Sequence, residues 1–163
     1  MARNPVPTEH VLFDAKTTRE LVAMLNQSLA DTLDLAYQTK QAHWNVKGQN
    51  FYSLHLLFDQ LFGQLATYID DIAERVVSLG GQALGTIRSA ASSSNLAAYP
   101  LEALDSKIHV DSLVERYGDY TGRMHKAVRR AEQLGDPDTA DLYKTISRAM
   151  DKALWMLKAN QEA

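Results

Sequence analysis

The sequence predicts an all-α protein, a bundle of four long helices with one long crossover between the second and the third. Three observations lead there. Apolar residues recur at helical intervals in four segments, no segment alternates apolar and polar residues as a half-buried strand does, and helix stop and start signals separate the segments. At 163 residues the chain suits one domain with a real core and is short for two. It divides into an N-terminal extension over 1–14 and a bundle domain over 15–160.

The first helix is expected to open at Thr17, because Thr17 and Glu20 have capping-box spacing. Leu21, Leu25, Leu29, Leu33 and Ala36 carry it towards Trp44, and it stops over 45–48. The second spans about 51–79, with Leu54, Phe58, Leu61, Leu65, Ile69, Ile72, Val76 and Leu79 as its apolar stripe. Gly80-Gly81 ends it, since glycine accepts the left-handed conformation of a helix C-cap. The third spans about 110–134 through Leu113, Tyr117, Met124 and Val128 and closes at Gly135. The fourth starts on Asp136 as N-cap with Pro137 at the first helical position, followed by Ala140, Ile146, Met150, Leu154 and Leu157.

Connection lengths choose the topology. Helices one and two, and three and four, are joined by a few residues only, so each pair is an antiparallel hairpin. Residues 80–109 are a far longer connection, containing Gly85, Ser92-Ser93-Ser94, Asn95 and Pro100. A helix of nearly thirty residues is roughly 40 Å long, and this connection can cross back along it. That is the ferritin-like arrangement rather than the simple up-down bundle. Leu96 to Leu104 is a place for a short helix of its own.

Composition excludes several functions. Apolar residues are 45% and charged residues 23%, ordinary for a globular protein and wrong for disorder. A net charge of −3 gives no support to a globally basic nucleic-acid binder. The absence of cysteine removes disulfides, thiolate zinc sites and cysteine nucleophiles. No apolar run suits a secretory signal or a membrane span of about 18 residues, so a soluble, cytoplasmic protein is expected.

Helix two carries chemistry on one face. His55 and Asp59 are four apart, as are Asp70 and Glu74. From Asp59 to Asp70, successive steps of about 100° return to within about 20° of the starting direction, so all four groups share a stripe. His43, beside Trp44, ends helix one close by. One reading makes these solvated surface residues. Against it, paired carboxylates repel, and nothing basic relieves Asp70 and Glu74 unless Arg75 turns inward. A metal cation relieves them, and mixed carboxylate and imidazole donors suit ferrous iron or a related metal better than calcium.

The two pairs lie about 16 Å apart along the helix axis, whereas ligands approach a metal to about 2 Å. One chain therefore cannot close the site with both. Two copies of helix two, antiparallel about a two-fold axis near Gln64 and Leu65, can; Gly63 lets the backbones approach.

At these residues the sequence resembles the Dps family (DNA-binding proteins from starved cells), the mini-ferritins. The resemblance runs through Lys40-Gln41-Ala42-His43-Trp44-Asn45, Gly48, Asn50-Phe51, His55, Asp59, Asp70, Glu74-Arg75 and Gly80-Gly81. It continues in Ala83-Leu84-Gly85-Thr86, Tyr99-Pro100-Leu101 and Asp138-Thr139-Ala140-Asp141, covering roughly 15–160. It implies a shell of twelve subunits built from two-fold dimers. His43, His55 and Asp59 of one subunit would form a ferroxidase centre with Asp70 and Glu74 of its mate. There Fe(II) is oxidised to Fe(III), typically by hydrogen peroxide, and the ferric product is stored, which protects DNA. Trp44 would intercept stray oxidising equivalents, though a buried core tryptophan is the more ordinary reading.

The departures from the family concern DNA. Family members that bind it directly often carry a lysine-rich tail, but here the N-terminal segment offers only Arg3 before Lys16, and five uncharged or acidic residues follow Lys158. Arg123, Lys126, Arg129 and Arg130 are interspersed with acids on helix three. Because non-specific affinity comes mainly from phosphate neutralisation, weak DNA binding is expected. A DNA-compacting shell with little ferroxidase activity is the competing function, and a helical signalling module gives no reason for the five ligand-type residues. Asp136, Asp138 and Asp141 have two readings: acids favoured at a helix start, or, by the resemblance, the lining of a three-fold pore for cations. His10, His109 and His125 lack partners at ligand spacing and read as surface or core histidines.

Overall fold

The computed structural model describes residues 13–103 and 105–161. Five helices follow one another: α1 (Ala15–Asn45), α2 (Phe51–Ser78), α3 (Ile87–Ser93), α4 (Ser106–Gln133) and α5 (Pro137–Ala159). The described residues contain no strand, and none of their helices is long and apolar enough to cross a membrane. His10 and Arg3 lie outside the described residues, with the rest of 1–12.

Local chemistry sets the helix ends. Asp14, not Thr17, caps α1: its carboxylate accepts from the Lys16 and Thr17 amides, both at 2.8 Å. The expected capping box does not form, because Thr17 Oγ1 donates to Asp14 and Glu20 instead pairs with Arg130 of α4. Likewise α4 starts at Ser106 with Asp105 as its cap, four residues before the expected start. At the end of α2 the Gly81 amide reaches back to the Val76 carbonyl, with Gly80 at φ 84°. A Cβ on Gly81 would stand 2.6 Å from Val22 Cγ2, so glycine is needed there for close approach to α1. The same reach-back ends α4, where Gly135 takes φ 76° and the Asp136 amide donates to Ala131. Asp136 then caps α5 as expected.

Polar contacts fix the topology. Down α1, Asn26 bonds to Gln82 and Leu84, Gln27 to Ser93, Asp31 to the Asn95 amide, Asp34 to Ser94, and Gln38 to Ala97. From 26–82 to 38–97 the partners rise in number together, with only 31–95 and 34–94 out of order, so the crossover runs alongside α1 in the same direction and returns along the bundle. From the other side Arg116 of α4 donates to the Ala97 and Ala98 carbonyls. The short helix of the crossover is α3, at 87–93 and capped by Thr86; the described part of 96–104, where it was expected, is non-helical.

The bundle interior is closed by large side chains. Leu21, Leu25, Leu29, Phe58, Leu61, Leu65 and Ile72 are fully buried. Three buried tyrosines reach α1 hydroxyls: Tyr143 to Ser28 at 2.9 Å, Tyr120 to Thr32 at 2.7 Å, Tyr117 to Thr39 at 3.0 Å. Each of those hydroxyls already donates to a carbonyl one turn back, so each tyrosine donates to it. On α4 and α1 the pairs 117–39, 120–32 and 130–20 run in opposite directions, which makes these helices antiparallel.

Candidate metal centre

His43 in the last turn of α1 and His55 in the first turns of α2 stack with ring centroids 3.8 Å apart. The short connection between the helices brings them together. His43 Nδ1 lies 2.8 Å from the His55 carbonyl oxygen, and His55 Nδ1 lies 2.9 Å from the His43 carbonyl. A carbonyl only accepts, so each Nδ1 carries a proton and donates it. In the neutral form of each ring this leaves Nε2 unprotonated, the lone pair a metal needs. Phe51 packs against His55 at 5.1 Å.

Asp59 lies one turn beyond His55. Its Oδ1 is 4.0 Å from His43 Nε2 and 2.5 Å from Lys40 Nζ. The hydrogen bond from Lys40 holds the Asp59 carboxyl below the usual carboxylate range, with the nearby histidines helping. The two imidazoles are partly buried, while Asp59 is exposed, as are Asp70 and Glu74. Arg75 turns away from Asp70 and Glu74: its guanidinium meets both oxygens of Asp136 at 2.8 and 2.9 Å and Thr139 Oγ1 at 2.9 Å. The second acidic pair thus faces solvent without the cation next to it in sequence. Among the described residues, no three His, Asp or Glu side chains of one chain gather as a metal cage. One chain stacks His43 on His55 and brings His43 within 4.0 Å of Asp59, short of a three-ligand cage, and carries Asp70 with Glu74 further along α2.

Two expectations change. Trp44 is 61% exposed and not a core residue, because Ala42 and Val46 take the buried side of the α1 terminus and leave position 44 pointing out. Asp136 is 1% exposed in the chain, its carboxylate committed to the α5 cap and to Arg75, which favours the helix-start reading for this acid. Asp138 and Asp141 are exposed, Asp141 beside Arg129, Lys144 and Arg148 in a cleft of about 340 Å³. His109 is a core histidine bonded to Tyr99 at 2.6 Å, and His125 is a surface one beside Asp151. Two arginines of the basic group on α4 are paired, Arg123 with Asp119 and Arg130 with Glu20. Lys40, which holds Asp59, joins this group through a contact between α1 and α2 that spacing along one helix does not reveal.

A family described as the ferritin-like domain matches residues 22–162. The DNA protection during starvation protein of Agrobacterium fabrum is 46% identical over 147 residues, covering 90% of each chain. The chain belongs to the Dps family of ferritin-like proteins. Among solved structures, the Dps protein of Bacillus brevis is similar at TM-score 0.85 and 28% identity, covering 90% of this chain and 98% of that one. The Dps protein of Vibrio cholerae O1, described as a member of a broad superfamily of ferritin-like diiron-carboxylate proteins, shares the fold at TM-score 0.86 and 24% identity. It covers 96% of this chain and 98% of that one. The Dps fold explains why α2 keeps His55, Asp59, Asp70 and Glu74 off the core: the bundle interior is occupied by the tyrosine and leucine layers.

Proposed function

We propose that this protein oxidises and stores iron, at centres shared between two copies of α2 related by a two-fold axis. The observation that carries the reading is the reciprocal His43–His55 arrangement, which directs both Nδ1 atoms to carbonyls and leaves both Nε2 atoms available, that of His43 4.0 Å from Asp59. Packing the outer face of α2 against its symmetry mate brings Asp70 and Glu74 of the partner towards that trio. Exposed Trp44, Phe51, Tyr52 and Leu56 around the trio are apolar surface that such packing buries.

Fe(II) is the substrate. Two imidazoles and carboxylates are borderline and hard donors, a set that accepts Fe(II) and holds Fe(III). Two Fe(II) ions give one electron each to hydrogen peroxide; the O–O bond breaks, and two protons complete two waters. Pairing the electrons releases no hydroxyl radical, and consuming both reagents protects DNA. The ferric product then hydrolyses and is stored inside a shell, for which twelve subunits is the family's number. The proposed compartment is the cytoplasm, including its nucleoid.

The test is stopped-flow absorbance of ferric species after anaerobic Fe(II) loading, with peroxide and oxygen compared. Wild type should oxidise iron far faster than buffer, faster with peroxide, and His55→Ala should fall to near the buffer rate. Wild-type rates equal to buffer with both oxidants would contradict the reading.

A further inference from the structure

The hairpin of α4 and α5 carries a ladder of facing side chains. Residues 125, 129 and 132 fall on one seam of α4, and 144, 148 and 151 on the facing seam of α5, each set at intervals of three and four. One rung joins the Glu132 carboxylate to Lys144 Nζ at 2.7 Å. Another sets His125 Nε2 3.2 Å from Asp151 Oδ1. Between these two rungs stand Arg129 and Arg148, both exposed and both lining one cleft of about 340 Å³. Among the described residues neither arginine has an ion-pair partner. Asp141, at the end of the cleft nearer the α4–α5 turn, pairs with neither. The flanking rungs hold complementary groups and the middle one two like charges, which repel unless an anion stands between them.

We propose that Arg129 and Arg148 form a binding site for a free phosphate-class oxyanion, such as the hydrogen phosphate dianion. A planar guanidinium presents a rigid fork of N–H donors that fits two oxygens of a phosphate, and forks from opposite walls of the cleft grip it from both sides. The doubly charged ion balances both guanidiniums. A nucleic-acid phosphodiester brings one charge per phosphate, and its chain would have to pass the Asp141 carboxylate. The site lies on the other hairpin from the proposed metal centre, and does not depend on it. Two arginines that were merely solvated would give no gain in stability when one of them changes sign. Two arginines held against each other across a seam would. The middle rung therefore reports on itself through both binding and unfolding.

The experiment is calorimetric titration of the iron-free, assembled full-length protein with inorganic phosphate at low, constant ionic strength, with thermal unfolding in parallel. Wild type should bind with a dissociation constant of about 1 mM. Arg129→Gln and Arg148→Gln should each weaken binding about tenfold, the loss of one charged hydrogen-bonding partner. Either variant gives the result if the other does not assemble. Lys158→Gln removes an exposed α5 cation that does not line the cleft, and should leave binding unchanged. Arg148→Glu makes the middle rung complementary, so it should unfold at a higher temperature than wild type in the absence of phosphate and gain nothing when phosphate is added. Binding unchanged in both glutamine variants of the arginines, or weakened as much by Lys158→Gln, overturns the proposal, because the attraction would then be a diffuse field. Displacement of the phosphate by a short DNA duplex overturns it as well, since the ligand would then be a nucleic-acid backbone.

Discussion

Asp136 holds three structures at once. Its amide closes α4, its carboxylate caps α5 through the Thr139 amide and hydroxyl, and both oxygens receive Arg75 from α2. Burial opposes ionisation of this carboxyl, but the Thr139 bonds and the Arg75 guanidinium outweigh it and lower its pKa. The folded state therefore gains stability above the ordinary aspartate pKa of about 4, and loses it as pH falls through the lower folded value. Asp136→Ala should cost about 3–5 kcal/mol at neutral pH, because Arg75 is left without its partner in a largely buried position and the helix loses its cap. Urea unfolding of wild type and variant across the acid range checks both halves. The gap between them should narrow as pH drops towards 3. A constant gap would mean that the carboxylate charge is not what matters. The same residue shows a limit of sequence reading. Its capping role was legible from Asp136-Pro137, but its ion pair with a residue of α2 was not, because no local spacing encodes it.

At the scale of elements, α1 works through two polar strips. Ser28, Thr32 and Thr39 look like weak points in an apolar helix, yet each accepts from a buried tyrosine. The asymmetry of the bond makes a test. Thr32→Val leaves the Tyr120 hydroxyl buried without an acceptor and should cost about 1–3 kcal/mol. Tyr120→Phe leaves Thr32 still bonded to the Ser28 carbonyl, and should cost about 1 kcal/mol or less from this bond. Thermal denaturation of both variants that gave the reverse order would refute the donor assignment. The second strip, from Asn26 to Gln38, docks the crossover. The short helix lies at α3, earlier in the crossover than the expected 96–104. Thr86 caps it through the Ser89 amide, a local signal that the serine run obscured. The four long helices were legible because their apolar stripes follow one period; their starts were less so, since Asp14 caps α1 in place of Thr17 and Asp105 caps α4 four residues before the expected start.

For the whole molecule, the stripe of proposed ligands was legible and the contacts around it were only half so. Spacing alone puts His55, Asp59, Asp70 and Glu74 on one stripe of α2, and the distance between the pairs argues for a second copy. Neither the paired Nδ1 protons nor the lysine on Asp59 could be read from spacing, because both depend on how α1 lies against α2. Electrostatics on the larger scale yields two expectations. Direct DNA binding should be weak at physiological salt, since Arg123 and Arg130 are already paired; a tight, strongly salt-dependent gel shift would contradict this. Asp138→Asn with Asp141→Asn should slow iron uptake at low Fe(II) and converge with wild type at high Fe(II), because exposed carboxylates concentrate cations. Equal rates at every concentration would leave these acids only their helix-start role.

The central claim is that two subunits share each centre, and subunit mixing tests it most directly. Shells made only of His55→Ala or only of Glu74→Ala subunits should be nearly inactive, because every centre lacks an imidazole or a carboxylate. After dissociation and joint reassembly, random pairing makes about half of the dimers mixed. In a mixed dimer one centre takes His55 from the Glu74→Ala chain and Glu74 from the His55→Ala chain, and is whole; the other carries both defects. About a quarter of wild-type ferroxidase activity should therefore return. No recovery, with subunit exchange verified by mass, would contradict the shared centre.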